Sequence, residues 1–234
     1  MLARFDPAVP ARYAAYAKQR AVVFWIVSVV PAALIALGAS LFTPRLWGVA
    51  TIPVILFFLV CVMVGFIYLK LAKKNEAMAE WNGILAILEP EGLAFGPVPS
   101  LPWDEVLWIG MADVRAQHAA ARATRGLNGA RHRTWAKSGH GSLVLSVVYK
   151  DADRLLPQLP DTARKMAVKG GKHRTLGTVP FMVVLHPDVL LDSAATETLV
   201  AQLRAQASAH GIPFVVSDTE AANTRAATSQ ALVA

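Results

Sequence analysis

Six histidines are the residue types best suited to proton or metal chemistry: His118, His132, His140, His173, His186 and His210. Their spacing is irregular, with no HExxH pattern and no paired carboxylates nearby, so the sequence defines no zinc site. Ser138 and His140 lie two apart in a glycine-flanked stretch. A nucleophile also needs a positioned base and an oxyanion site, and this pair defines neither. Gly170-Gly171-Lys172 lacks the first glycine of a phosphate-binding loop and the Ser or Thr after its lysine, so it reads as a flexible basic turn. Trp103 beside Asp104 and Glu105 reads as structural, the indole anchoring a strand while the acids turn outward. Cys61 is the single cysteine, which excludes an internal disulfide and a cysteine-based metal site and leaves a small packing residue. No catalytic residue, metal ligand or cofactor is assigned, and the expectation is a non-enzymatic protein.

The chemistry that the sequence does offer is positive charge. Between Arg115 and Arg174 there are thirteen basic residues against three acidic ones, a local excess of ten against a net charge of +7 for the whole chain. The candidate anion-contacting residues are Arg122, Arg125, Arg131, Arg133, Lys137, Arg164, Lys165, Lys169, Lys172 and Arg174. Next to a membrane, each such residue gains about 1 kcal/mol from anionic lipid. An acidic protein surface is the other partner of the right charge. Nucleic acid is set aside: Trp135 and His132 among the arginines could stack on bases, but no nucleic-acid fold signature accompanies them.

The elements that carry these residues divide sharply in composition. Ala21 to Pro44 and Leu46 to Leu69 are each 24 residues long and contain no Asp, Glu, Lys or Arg. A helix of roughly 20 apolar residues crosses a bilayer, and both runs clear that length. They read as a transmembrane hairpin over residues 21–74, turning at Thr43-Pro44-Arg45, with Pro31 kinking the first helix and Pro53 in the first turns of the second. Trp47 and Tyr68 fall where interfacial aromatics belong. Arg12, Lys18 and Arg20 precede the hairpin and Lys70, Lys73 and Lys74 follow it, against Arg45 alone in the turn. The positive-inside rule then places both termini in the cytoplasm. Gly38, Ala39, Gly48 and Gly65 are small enough for close helix contact, within the hairpin or with a second membrane protein.

Residues 1–20 read as a cytoplasmic N-terminal segment and 75–216 as a cytoplasmic domain of short strands. Gly83–Leu88 and Leu93–Phe95 form a hairpin across a type I turn at Glu89-Pro90-Glu91-Gly92. Strands follow at Trp103–Ile109, Ser142–Tyr149 and Val179–Leu185. A helix capped by Asp192 or Ser193 runs to Gly211, with Leu199, Val200, Leu203 and Ala207 on one face. Residues 212–216 give a short last strand. The connections 115–141 and 161–178 read as long basic loops, and 217–234, rich in Ala, Thr and Ser, as a disordered tail.

The combination of a two-helix hairpin, Leu88-Glu89-Pro90-Glu91-Gly92-Leu93, then Pro102-Trp103-Asp104-Glu105-Val106, and a closing helix with Leu199 and Leu203 resembles bacterial pleckstrin-homology-like domain proteins. That resemblance implies an α+β membrane protein of the bacterial cytoplasmic (inner) membrane. Its mainly antiparallel β domain would be a curved sheet with a C-terminal helix, used for binding or assembly and carrying no catalytic residues. The expected function is a membrane-anchored binding or scaffolding module whose basic loops contact anionic lipid or an acidic protein face. The alternative is an accessory subunit, or a homo-oligomer, that uses the hairpin itself as its interface.

Overall fold

The computed structural model describes residues 1–41, 47–173 and 175–231. Two long helices dominate the first third, α1 (Ala8–Leu41) and α2 (Trp47–Ala79). Within them Ala8–Leu34 and Val54–Ala79 are long and apolar enough to cross a membrane. They pack on each other through small residues, Ala17 and Ala21 against Tyr68 and Ala72, while Val22, Ile26, Val29, Leu56, Leu59 and Phe66 stay exposed. Phe24 stacks on Tyr68 at 5.6 Å. Gly65 allows the indole of Trp25 to lie directly on α2, where any side chain would collide with it. Gly65 is thus a packing residue inside the hairpin. Helix α1 runs on through Pro31. The turn at Thr43-Pro44-Arg45 and the side chains of Gly38, Ala39, Trp47, Gly48 and Pro53 lie outside the described residues.

The rest of the chain builds two sheets. The first is antiparallel, in the order β1 (Leu2–Arg4), β2 (Ile84–Leu88), β3 (Gly92–Phe95), β4 (Val98–Pro102). The residues before α1 are therefore not a separate segment, since Leu2 pairs with Ile87 and Ala3 with Ala86. The second sheet is ordered β7 (Val168–Lys169), β8 (Phe181–Leu185), β6 (Leu143–Tyr149), β5 (Val106–Asp113), β9 (Phe214–Ser217), antiparallel except where β9 joins β5 in parallel. Leu85, Leu93 and Phe95 of the first sheet and Ile109, Leu145, Val147 and Leu185 of the second share one core. After the short α7 (Pro187–Leu190), helix α8 (Ser193–Ala209) closes it with Leu199, Leu203 and Ala207, and Asp192 caps its start by accepting from the Ala195 N–H at 2.7 Å. Trp103 sits in a 3₁₀ turn just before β5 and not on the strand; its Nε1 donates to the Glu89 carbonyl at 2.9 Å, tying that turn to the first hairpin.

Three expectations need correction. The 115–141 segment is not a loop: it forms α3 (Arg115–Ala123) and α4 (Leu127–Lys137). Five alanines in nine residues of α3 supply strong helix propensity, and Asp113 accepts from the Arg115 N–H at 3.1 Å at its start. The 161–178 segment holds α6 (Asp161–Met166) and the edge strand β7, following α5 (Ala152–Leu155). Finally, the tail is not disordered over its described part. Glu220–Ala231 is a helix, α9, packed on the second sheet: Ala227 is fully buried against Trp108 and Val148, and Asn223 Nδ2 donates to Ser146 Oγ at 3.0 Å. Alanine is the best helix former, and small side chains let a helix sit close to a sheet. Residues 232–234 lie outside the described residues.

Candidate functional site at the hairpin base

The register of the second sheet decides where the polar residues gather. Asp113 pairs with Leu143, and Leu145 with Leu185, so the end of β5, the start of β6 and the end of β8 lie at one end of the sheet. The end of β9 lies there too, because β9 runs parallel to β5. His118 follows β5 on α3, His140 precedes β6, His186 follows β8 in the strand-ending position, and Glu220 opens α9 after β9. Residues with irregular spacing in sequence are thereby delivered to one place.

They form a row. The ring centroids are 5.6 Å apart for His132 and His118, 6.0 Å for His118 and His140, and 5.3 Å for His140 and His186. Trp135 meets His140 edge-on at 5.0 Å. His140 Nε2 lies 3.6 Å from Glu220 Oε1, which holds the Glu220 carboxyl below the usual carboxylate range. The base of the hairpin closes the row: Asn75 of α2 is fully buried and its Nδ2 donates to the Ser138 carbonyl at 3.0 Å. Burial, with Lys74 and His140 beside it, pushes the His186 imidazole down to about 3. Burial also lowers His118. For these two rings burial disfavours the charged form.

Beside the row a cleft of about 470 Å³ opens between α1, α3 and α8, lined among others by Tyr13, Arg122, His140, Ser142, Asp188 and Thr196. His118 Nδ1 is 3.2 Å from Ser142 Oγ. The Ser142 N–H is already engaged by Asp188 Oδ2 at 2.6 Å, so it cannot serve an oxyanion. Burial raises the Asp188 carboxyl, against the backbone N–H groups that lower it. Among the described residues no three His, Cys, Asp or Glu side chains converge on a point fit for a metal ion.

The ten basic residues do not form one surface. Arg122, Arg125, Arg131, Arg133 and Lys137 lie on α3, α4 and the turn between them, at the hairpin end of the sheet. Arg164, Lys165, Lys169 and Lys172 lie on or near α6 and β7, which pairs with the start of β8 opposite Tyr149. The seven residues of β6 separate the two ends by roughly 20 Å. Arg174 lies outside the described residues.

Their partners differ as well. At the far end Arg164 pairs with Asp161, and Lys169 Nζ pairs with Asp153 at 2.6 Å. At the hairpin end Arg122 Nε donates to the His118 carbonyl at 3.1 Å, Arg133 Nη1 to the Arg122 carbonyl at 2.7 Å, and the Arg131 guanidinium lies 4.5 Å over the Trp135 ring. Among the described residues none of these five is paired with a carboxylate. The histidine row is the feature that sequence spacing concealed; its one readable signal is that His186 directly follows the apolar run of β8 and His140 lies three residues before that of β6. No family model, curated protein or solved structure matches the chain.

Proposed function

We propose that the chain is an integral protein of a bacterial inner membrane, with α1 and α2 spanning the bilayer, both termini in the cytoplasm and a pleckstrin-homology-like unit held against the inner leaflet as a non-enzymatic binding or scaffolding module. The exposed apolar belt of the two helices and the basic residues on both sides of the hairpin support the spanning arrangement. Two packed, mainly antiparallel sheets closed by α8 support the pleckstrin-homology-like reading.

The observation that carries the functional reading is the uncompensated charge of Arg122, Arg125, Arg131, Arg133 and Lys137 at the hairpin end. At about 1 kcal/mol per basic residue near an anionic surface, five such residues contribute several kcal/mol to holding the unit on the leaflet. The anchor keeps that contact intramolecular, which raises its effective concentration. The far group, partly neutralised by its own carboxylates and roughly 20 Å away, is free to face a protein partner.

Native mass spectrometry of the full-length protein released from anionic nanodiscs tests this. Reversing Arg125, Arg131, Arg133 and Lys137 to Glu is expected to strip retained anionic lipid, whereas reversing Arg164, Lys165, Lys169 and Lys172 leaves it in place. Equal retention in both variants, with a stoichiometric second protein held throughout, would instead favour an accessory subunit that docks through its hairpin.

A further inference from the structure

Leu127 is 91% exposed, the barest large apolar side chain among the described residues. It opens α4 at the tip of the α3–α4 pair. Leaving a leucine in water forgoes the gain from burying it, and the turn that does so is held by its own backbone geometry and hydrogen bonds. Gly126 makes it with a φ of +85°, a left-handed conformation that favours glycine. The Arg133 guanidinium clamps the preceding carbonyls, donating to Arg122 and, at 3.4 Å, to Thr124.

The level of this tip relative to the hairpin follows from two contacts. The C-terminal end of α4 is fixed beside Asn75, through the hydrogen bond to the Ser138 carbonyl. Seven residues earlier on α4, Arg131 comes close enough to Tyr68 to interact with it electrostatically, and Tyr68 is itself seven residues before Asn75 on α2. Both helices therefore climb together, by about 10 Å over that interval. Tyr68, stacked on Phe24, and Arg20, bonded to Tyr16 at 2.9 Å, mark the interfacial level. Leu127 lies four residues, about 6 Å, beyond Arg131 in the direction of the apolar belt. There α2 exposes Met63, Phe66 and Ile67.

We propose that the α3–α4 turn is an interfacial wedge: Leu127 enters the boundary between headgroups and acyl chains, and Arg125, Arg131 and Arg133 hold lipid phosphates around it. This deepens the leaflet-facing reading and rests on α1 and α2 spanning the membrane. The geometry favours the bilayer over a protein occupant because the tip continues the apolar belt and is ringed by cations, the pattern of side chains that settle at an anionic interface.

The test uses the full-length protein with Cys61→Ala, reconstituted in anionic nanodiscs. An environment-sensitive fluorophore is placed in turn on L127C, V27C in the middle of α1, and V168C on β7. Lipids carrying a nitroxide near the top of the acyl chain then act as quenchers. The expected result is quenching at positions 127 and 27 and none at 168. Quenching at 27 without quenching at 127 overturns the wedge and leaves the spanning arrangement standing. Absence of quenching at 27 overturns both. A label at 127 that is blue-shifted in nanodiscs but unquenched would assign the tip to a protein contact and also overturn the wedge.

Discussion

His186 links the stability of the fold to pH. Its folded pKa of about 3 lies below the ordinary histidine value of 6.5, so under mildly acidic conditions the unfolded chain binds a proton that the folded chain refuses. The stability linked to His186 is therefore present well above pH 6.5 and falls as pH drops from there toward 3, by on the order of 1 kcal/mol for each pH unit. His118, lowered by burial, adds in the same direction, while the raised Asp188 carboxyl acts in the opposite one. Lys74 from α2 and Glu220 from α9 face the same row, so protonation sets His186 against Lys74 and draws it toward Glu220. Thermal unfolding in detergent between pH 7.5 and 5 is expected to show a falling midpoint, and His186→Gln should flatten that slope. A slope unchanged by the substitution would remove His186 as its source.

At the scale of elements, α9 is seated on the second sheet by the buried Ala227 and the Asn223–Ser146 hydrogen bond. Asn223 and Ser146 are both buried and bonded to each other, so Asn223→Ala leaves the Ser146 hydroxyl without its partner, at a cost of about 1–3 kcal/mol. Limited proteolysis should then cut within 218–231 faster in the variant than in the parent protein; equal rates would mean that Ala227 and its apolar neighbours hold the helix without the Asn223 bond.

The same helix shows what was legible in the sequence. β6 is buried along all seven residues, with Leu143, Leu145, Val147 and Tyr149 on the shared core and Ser146 and Val148 under α9. An apolar run without alternation signals a strand covered on both faces. The cover is Ala- and Thr-rich, and a composition short of large apolar residues resembles disorder until the sheet beneath it is known. The two apolar helices, the Glu89–Gly92 turn, the Asp192 cap and α8 were readable because each rests on local periodicity or turn chemistry. The helical nature of 115–137 was hidden by its charges. The histidine row was hidden because strand register, and not spacing, assembles it.

Across the whole molecule the net charge of +7 is less informative than its placement. One end of the second sheet carries α3 and α4 with five cations that, among the described residues, pair with no carboxylate, next to the hairpin. The other end carries ion pairs that include Arg154 with Glu105 and Lys169 with Asp153. Attraction to an anionic leaflet falls off within a Debye length, about 8 Å at physiological salt, so a group roughly 20 Å farther out contributes little to it. Hydrogen exchange on the full-length protein measures that asymmetry directly. The comparison is between nanodiscs of zwitterionic lipid and nanodiscs with anionic lipid added. Slower exchange over 115–137 on adding anionic lipid, with 161–172 unchanged, is the predicted result. Unchanged exchange over 115–137, or equal slowing at both ends, would contradict it.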